Sequence, residues 1–113
     1  MSEMNYTVKQ IKCKIFEWYK GQFIKHPTFF DVEIAKNEEN ILIIDFTFAE
    51  CLAQIHVYEP DFAPFKYVAF DALSLVDESR IFYFYDTDRT TENEVIEQLN
   101  KGIEICSSYK PKK

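Results

Sequence analysis

The sequence predicts an α+β fold: a two-layer sandwich in which a five-stranded, mainly antiparallel, meander-like sheet carries the N- and C-terminal helices on one face. Two segments with apolar residues at helical spacing lie near the two ends of the chain. Five segments in which apolar and polar residues alternate lie between them, giving the order α-β-β-β-β-β-α. The connections between the strands are too short for parallel crossovers. Because both helices have an apolar stripe to bury, packing both on one sheet face is the simplest arrangement.

The first helix is predicted from about Thr7 to Phe23. Thr7 and Gln10 have the spacing of a capping box, and Gly21 with the later Pro27 predicts the end of the helix. Apolar residues recur at helical spacing at Val8, Ile11, Ile15, Phe16, Tyr19 and Phe23.

The first two strands are predicted from two alternating segments joined by the polar residues 37–40. In the first segment Phe30, Val32 and Ile34 share one face, while Asp31 and Glu33 share the other. In the second, the predicted core face is Leu42, Ile44, Phe46 and Phe48, and the opposite face is Ile41, Ile43, Asp45 and Thr47. We therefore expect these two strands to form a hairpin.

The third to fifth strands are predicted from residues 52–59, 65–73 and 81–86, with a loop over residues 60–64 and a turn over residues 75–79. In the third strand, Ala53, Ile55 and Val57 oppose Gln54, His56 and Tyr58. In the fifth, Phe82 and Phe84 oppose Ile81, Tyr83 and Tyr85.

The second helix begins after Thr91, which forms a capping-box pattern with Glu94. Its apolar stripe is Val95, Ile96, Leu99, Ile103 and Cys106. The length of 113 residues predicts a single domain over 1–113, with frayed ends at 1–5 and 108–113.

The charge distribution narrows the range of partners. The formal net charge is −6, and residues 26–109 hold 17 acidic residues against five basic ones. Because nucleic-acid binding depends on neutralising phosphates, this acidic body argues against a nucleic-acid partner and favours a basic protein. It is also the composition that keeps an aromatic-rich chain in solution.

Motifs for catalysis, metals and cofactors are absent from the sequence. His26 and His56 lie far apart, the three cysteines have no short spacing, and two glycines cannot build a phosphate-binding loop. We therefore expect no metal, no cofactor and no enzymatic activity. The separated cysteines, the polar start and the lack of a long apolar run predict a cytoplasmic protein without a membrane segment.

Tyrosines combined with acids are the positive signal for a binding surface. Tyrosine anchors protein interfaces, and carboxylates bind Arg and Lys of a partner. The candidate partner-binding residues are Asp31, Glu33, Asp45, Tyr58, Tyr67, Tyr83, Tyr85, Asp86 and Asp88. We expect Asp86 and Asp88 to be exposed. Tyrosine also suits strands by propensity alone.

These features favour a non-enzymatic, monomeric or homodimeric protein-binding module, of the kind that bacterial immunity proteins and antitoxins represent. Its acidic, tyrosine-rich surface would occlude a basic toxin domain, in particular a nuclease, and electrostatic steering would speed their encounter. Two alternatives stay open. One is a small acidic secretion-type chaperone or adaptor with exposed apolar grooves, and the other is an enzyme or small-ligand binder with a pocket between sheet and helices.

Overall fold

The computed structural model describes residues 6–21, 31–60 and 65–111. It confirms the predicted element order, with α1 (Val8–Tyr19), β1 (Asp31–Glu38), β2 (Ile41–Thr47), β3 (Cys51–Val57), β4 (Val68–Ser74), β5 (Arg80–Tyr85) and α2 (Glu92–Ser108). The predicted helix end at Phe23 and its stop signal Pro27, the strand residue Phe30, loop residues 61–64 and the ends 1–5 and 112–113 lie outside the described residues.

The strands form one antiparallel meander in sequence order, β1-β2-β3-β4-β5, as the short connections predicted. β1 and β5 are the two edges of the sheet. The pairing shifts at two places, between Ile34 and Lys36 in β1 and between Ala72 and Leu73 where β4 meets β5.

Both helices begin as the sequence predicted. The Thr7–Gln10 and Thr91–Glu94 capping boxes are complete, with each side chain bonded to the other residue's backbone N–H. Trp18 Nε1 of α1 donates a hydrogen bond to Asn100 Oδ1 of α2 at 2.8 Å, which joins the two helices.

The core lies between the helices and one face of the sheet. Side chains of β2, β3 and β4 on this face are almost completely buried, and Phe46 is only 1% exposed. They meet helix residues that are equally buried, among them Ile11, Ile15, Val95 and Leu99. The core face predicted for β2 and the apolar stripe predicted for α2 are therefore confirmed.

The helix α2 lies directly on the sheet at Gly102. A Cβ atom at this position would stand 2.3 Å from Phe70 Cε2 and 2.9 Å from Phe82 Cε2, closer than real Cβ contacts. A residue without a side chain is therefore what lets α2 approach the aromatic rings of β4 and β5.

The prediction for Ile81 is wrong. Arg80 pairs with Leu73 and Phe82 pairs with Ala72, so Ile81 is an extra residue on β5. A bulge of this kind breaks the alternation of side chains. Ile81 consequently packs against the core instead of sharing a face with Tyr83 and Tyr85.

Candidate functional site

The sheet face that turns away from the helices, called the open face below, consists of three cross-strand rows. Paired residues of neighbouring strands lie on the same face, so the register defines each row. The rows are Asp31–Thr47–Leu52–Leu73–Arg80, Glu33–Asp45–Gln54–Asp71–Tyr83 and Lys36–Ile43–His56–Ala69–Tyr85. Neither helix covers this surface.

Two of the carboxylates on the open face are already bonded to neighbours. Asp45 accepts a hydrogen bond from Gln54 Nε2, and Asp71 accepts from Arg80 Nε at 3.0 Å and from Arg80 Nη2 at 3.4 Å.

The other two carboxylates belong to Asp31 and Glu33 on β1. Both residues are exposed and have no hydrogen-bond or ion-pair partner within the described residues. The β1 side of the open face therefore offers acceptors to a cationic partner.

Exposed apolar and aromatic side chains extend across the open face from its middle strand, β3, to β5. Leu52 and Leu73 face each other across β3 and β4 and are 42% and 37% exposed. Tyr83 and Tyr85 are 37% and 38% exposed, with ring centres 5.5 Å apart, and the guanidinium of Arg80 lies 4.2 Å above the Tyr83 ring. This half of the surface suits contact with another protein.

A hollow of about 440 Å³ lies in the middle of the open face. Its lining includes Glu33, Asp45, Gln54, His56, Asp71 and the two leucines, Leu52 and Leu73. Burial lowers the pKa of His56, and the nearby carboxylates of Asp45 and Asp71 oppose that lowering. The imidazole is therefore biased toward its neutral form.

The structure brings five of the nine predicted partner-binding residues together on the open face: Asp31, Glu33, Asp45, Tyr83 and Tyr85. Tyr58 follows β3 directly, and its ring contacts His56 and Phe65 at 6.4 and 5.5 Å between centres. Asp88 is exposed as expected, but it lies in the turn between β5 and α2.

The expectation that Asp86 is exposed is wrong, because its side chain is completely buried. Its Oδ2 accepts a hydrogen bond from Tyr6 Oη at 2.6 Å. Its Oδ1 accepts from the backbone N–H groups of Lys66, Tyr67 and Val68, each at 2.9 Å. Asp86 therefore fastens the N-terminal segment and the approach to β4 to the end of β5, and its carboxylate is not available to a partner.

Tyr6 and Tyr67 belong to the same buried corner. Burial, and then the hydrogen bond to Asp86, raises the pKa of the Tyr6 hydroxyl well above its ordinary value. The ring of Tyr67 lies 6.1 Å from that of Tyr6 and packs against the core. Tyr67 is thus separate from the pair formed by Tyr83 and Tyr85.

Several residues of the open face were not predicted from the sequence as binding residues: Leu52, Gln54, His56, Asp71, Leu73 and Arg80. The alternation of β3 did place Gln54 and His56 on the polar face of that strand. With the meander order, it would also have placed Gln54 beside Asp45. The pairing of Arg80 with Leu73 had no such signal, because it depends on the bulge at Ile81.

The described thiols are unsuited to nucleophilic chemistry, with the exception of the exposed Cys13. Cys51 donates to the carbonyl oxygen of Cys106 at 3.5 Å, and burial raises the pKa of both thiols. In residues 6–21, 31–60 and 65–111 no three His, Cys, Asp or Glu residues are grouped to hold a metal ion. Neither of the two described helices is long and apolar enough to cross a membrane.

A scan against models of protein families, a search of curated proteins and a search of solved structures each found no match to this chain.

Proposed function

We propose that this chain is a non-enzymatic inhibitor that binds a basic toxin domain, as immunity proteins and antitoxins do. The observation that supports the proposal is the open face itself. It is a broad sheet surface that neither helix covers, and it combines unpaired carboxylates with exposed leucine and tyrosine side chains. The carboxylates of such a surface make it selective for a positively charged partner, and the apolar groups supply contact area.

A nuclease is the toxin that matches this chemistry best. Its cleft must be positive to hold phosphates, so it presents Arg and Lys side chains to any protein that enters it. Asp31 and Glu33 can receive such side chains without first breaking a bond within the described chain. Leu52 and Leu73 can then pack against the apolar parts of the bound surface.

Isolation of the bound partner allows the proposal to be tested. The chain is recovered from its native host at low salt, a stoichiometric basic protein bound to it is purified, and the nuclease activity of that protein is measured with and without the chain. We expect the wild-type chain to suppress the activity, and we expect its association rate to fall as salt rises.

A pair of charge-matched variants locates the binding surface. Asp31→Asn with Glu33→Gln neutralises the two free carboxylates of the open face, whereas Glu17→Gln with Glu104→Gln neutralises two exposed carboxylates on the helices. We expect the first variant to bind and inhibit more weakly, and the second to behave as wild type. Equal inhibition by both variants would contradict the proposal. So would a bound protein that has no nuclease activity, or one whose nuclease activity the chain does not suppress.

The hollow on the open face supports a second candidate, the binding of a small ligand. Its volume of about 440 Å³ falls within the range of ligand sites, and Gln54, His56 and Asp71 contribute polar groups to it. Native mass spectrometry of the chain purified from its host would detect such a ligand as a fixed added mass. A mass equal to that of the chain alone would count against this candidate.

A further inference from the structure

The two edge strands of the sheet differ in their chemistry. β1 carries acidic and basic side chains along its length, and its register shifts between Ile34 and Lys36. Charges and irregular pairing both discourage the addition of another strand. β5 carries one charge, Arg80, at its first position, and residues 81–85 are all apolar or aromatic without a proline. β5 has its own register shift at Ile81, but residues 82–85 beyond it carry none of the charges that lie along β1.

Within residues 6–21, 31–60 and 65–111, the backbone of β5 has unpaired groups on its outer side. Just after the strand, Asp86 N–H donates to the Val68 carbonyl at 3.1 Å, and the Asp86 carbonyl accepts from Lys66 N–H at 3.0 Å, so both groups point toward β4. Because these directions alternate along an antiparallel strand, the N–H and C=O groups of Tyr83 and Tyr85 point outward. No strand of the described chain pairs with them.

We propose that β5 pairs with β5 of a second copy of this chain, antiparallel about a two-fold axis through Phe84. Tyr83 of each copy then faces Tyr85 of the other. Each of these two pairs joins residues whose backbone groups point outward, so all of those groups find partners. The two sheets become one continuous sheet.

The two faces of the sheet favour this register over one shifted by a single residue. It keeps the two open faces together, whereas a shift by one residue would set an open face against a core face. It also sets the Tyr83 ring of each copy beside the Tyr85 ring of the other, and aromatic cross-strand pairs stabilise a sheet.

This inference does not depend on the proposed function. It rests on the backbone and the uncharged side chains of the β5 edge, whereas toxin binding rests on the free carboxylates at the β1 side. The joined sheet would present two open faces side by side. Dimer formation at β5 can nevertheless occur without toxin binding, and toxin binding can occur without dimer formation.

Analytical ultracentrifugation of three proteins tests the pairing. Wild type is expected to change from monomer to dimer mass as its concentration rises. Tyr85→Pro removes an outward N–H that has no partner among the described residues, a position at which edge strands tolerate proline. Tyr85→Ala loses the same ring but keeps the N–H. We expect Tyr85→Pro to be monomeric at concentrations where wild type and Tyr85→Ala are dimers.

Amide hydrogen exchange of the wild type supplies a measurement without any substitution. The amides of Tyr83 and Tyr85 are expected to exchange more slowly in the concentrated sample than in the dilute one, and this decides the question if Tyr85→Pro fails to fold. A wild type that stays monomeric at every concentration, a Tyr85→Pro dimer, or exchange at these amides that is independent of concentration would overturn the proposal.

Discussion

The two faces of the sheet are made by the same strands but have opposite roles. On the core face, Ile44, Phe46 and Phe70 are at most 1% exposed, while on the open face Leu52 and Leu73 are 42% and 37% exposed. Side chains on the two faces of the same sheet therefore differ sharply in their exposure to solvent. The comparison teaches that the apolar burial that stabilises this fold is concentrated on the core face, so substitutions on the open face should cost less stability.

The largest effect we expect comes from Phe46→Ala on the core face, compared with Leu52→Ala on the open face. The Phe46 ring contacts Trp18, Phe48 and Phe70, with ring centres 6.3 to 6.5 Å apart, so its removal leaves a cavity. We expect Phe46→Ala to lower the free energy of unfolding by about 3–5 kcal/mol. Because Leu52 is already largely in water, Leu52→Ala should cost less than about 1 kcal/mol.

Urea denaturation of both variants measures this difference, since the midpoint shift reports the change in stability when the slope is constant. Similar midpoint shifts for the two variants would show that the two faces do not differ as described.

The next largest effect is expected for Asp86→Ala, compared with Asp88→Ala two residues later. Asp86→Ala leaves the Tyr6 hydroxyl and three backbone N–H groups without their acceptor. Because buried donors without partners are costly, we expect a loss of about 2–4 kcal/mol. Asp88 is exposed and should change stability by at most about 0.5 kcal/mol. Thermal unfolding of the two variants under one condition checks this, and an unchanged midpoint for Asp86→Ala would contradict the role assigned to its carboxylate.

Asp86 also shows where prediction from sequence reached its limit. An aspartate between a strand and a helix cap has the sequence context of a solvated loop residue. Its burial depends on Tyr6, 80 positions earlier, and on the backbone of residues 66–68, which no local pattern reports. The bulge at Ile81 was missed for a related reason, because it is a property of the β4–β5 pairing and not of β5 alone.

The fold itself was predictable because its signals are local. Alternation defined the faces of β2 and β3, helical spacing defined the stripe of α2, and short connections required an antiparallel meander. The same alternation correctly placed Asp31, Glu33 and Asp45 on the open face. It misplaced Tyr67 in the strand predicted over residues 65–73, because β4 begins only at Val68 and Tyr67 packs beside Tyr6.

A smaller effect is expected where α2 meets the core face. Gly102→Ala would set a methyl group 2.3 Å from the Phe70 ring, which is itself fully buried. Overpacking of this kind costs about 1–3 kcal/mol, and the higher helix propensity of alanine offsets part of it.

Gly21→Ala is the matched control, because a Cβ there meets nothing within 4 Å. Guanidinium unfolding should show a destabilised Gly102→Ala and a Gly21→Ala at or above wild type. Equal stabilities would show that α2 can move away from the sheet without cost.

The smallest effect concerns His56, the histidine in the hollow of the open face. Burial lowers the pKa of His56 from its ordinary 6.5, so the unfolded chain takes up a proton at this residue at a higher pH than the folded chain does. The contribution of His56 to stability is therefore complete above about pH 6.5 and is lost as the pH falls through the lowered value. The partial exposure of His56 and the opposing charges of Asp45 and Asp71 keep this loss small. We expect urea midpoints of wild type to fall more than those of His56→Gln between pH 8 and pH 5, because the variant shares every other titrating group. Parallel pH profiles would mean that the imidazole is as well hydrated in the folded chain as in the unfolded one, and that the hollow offers a partner a wetter surface than its geometry implies.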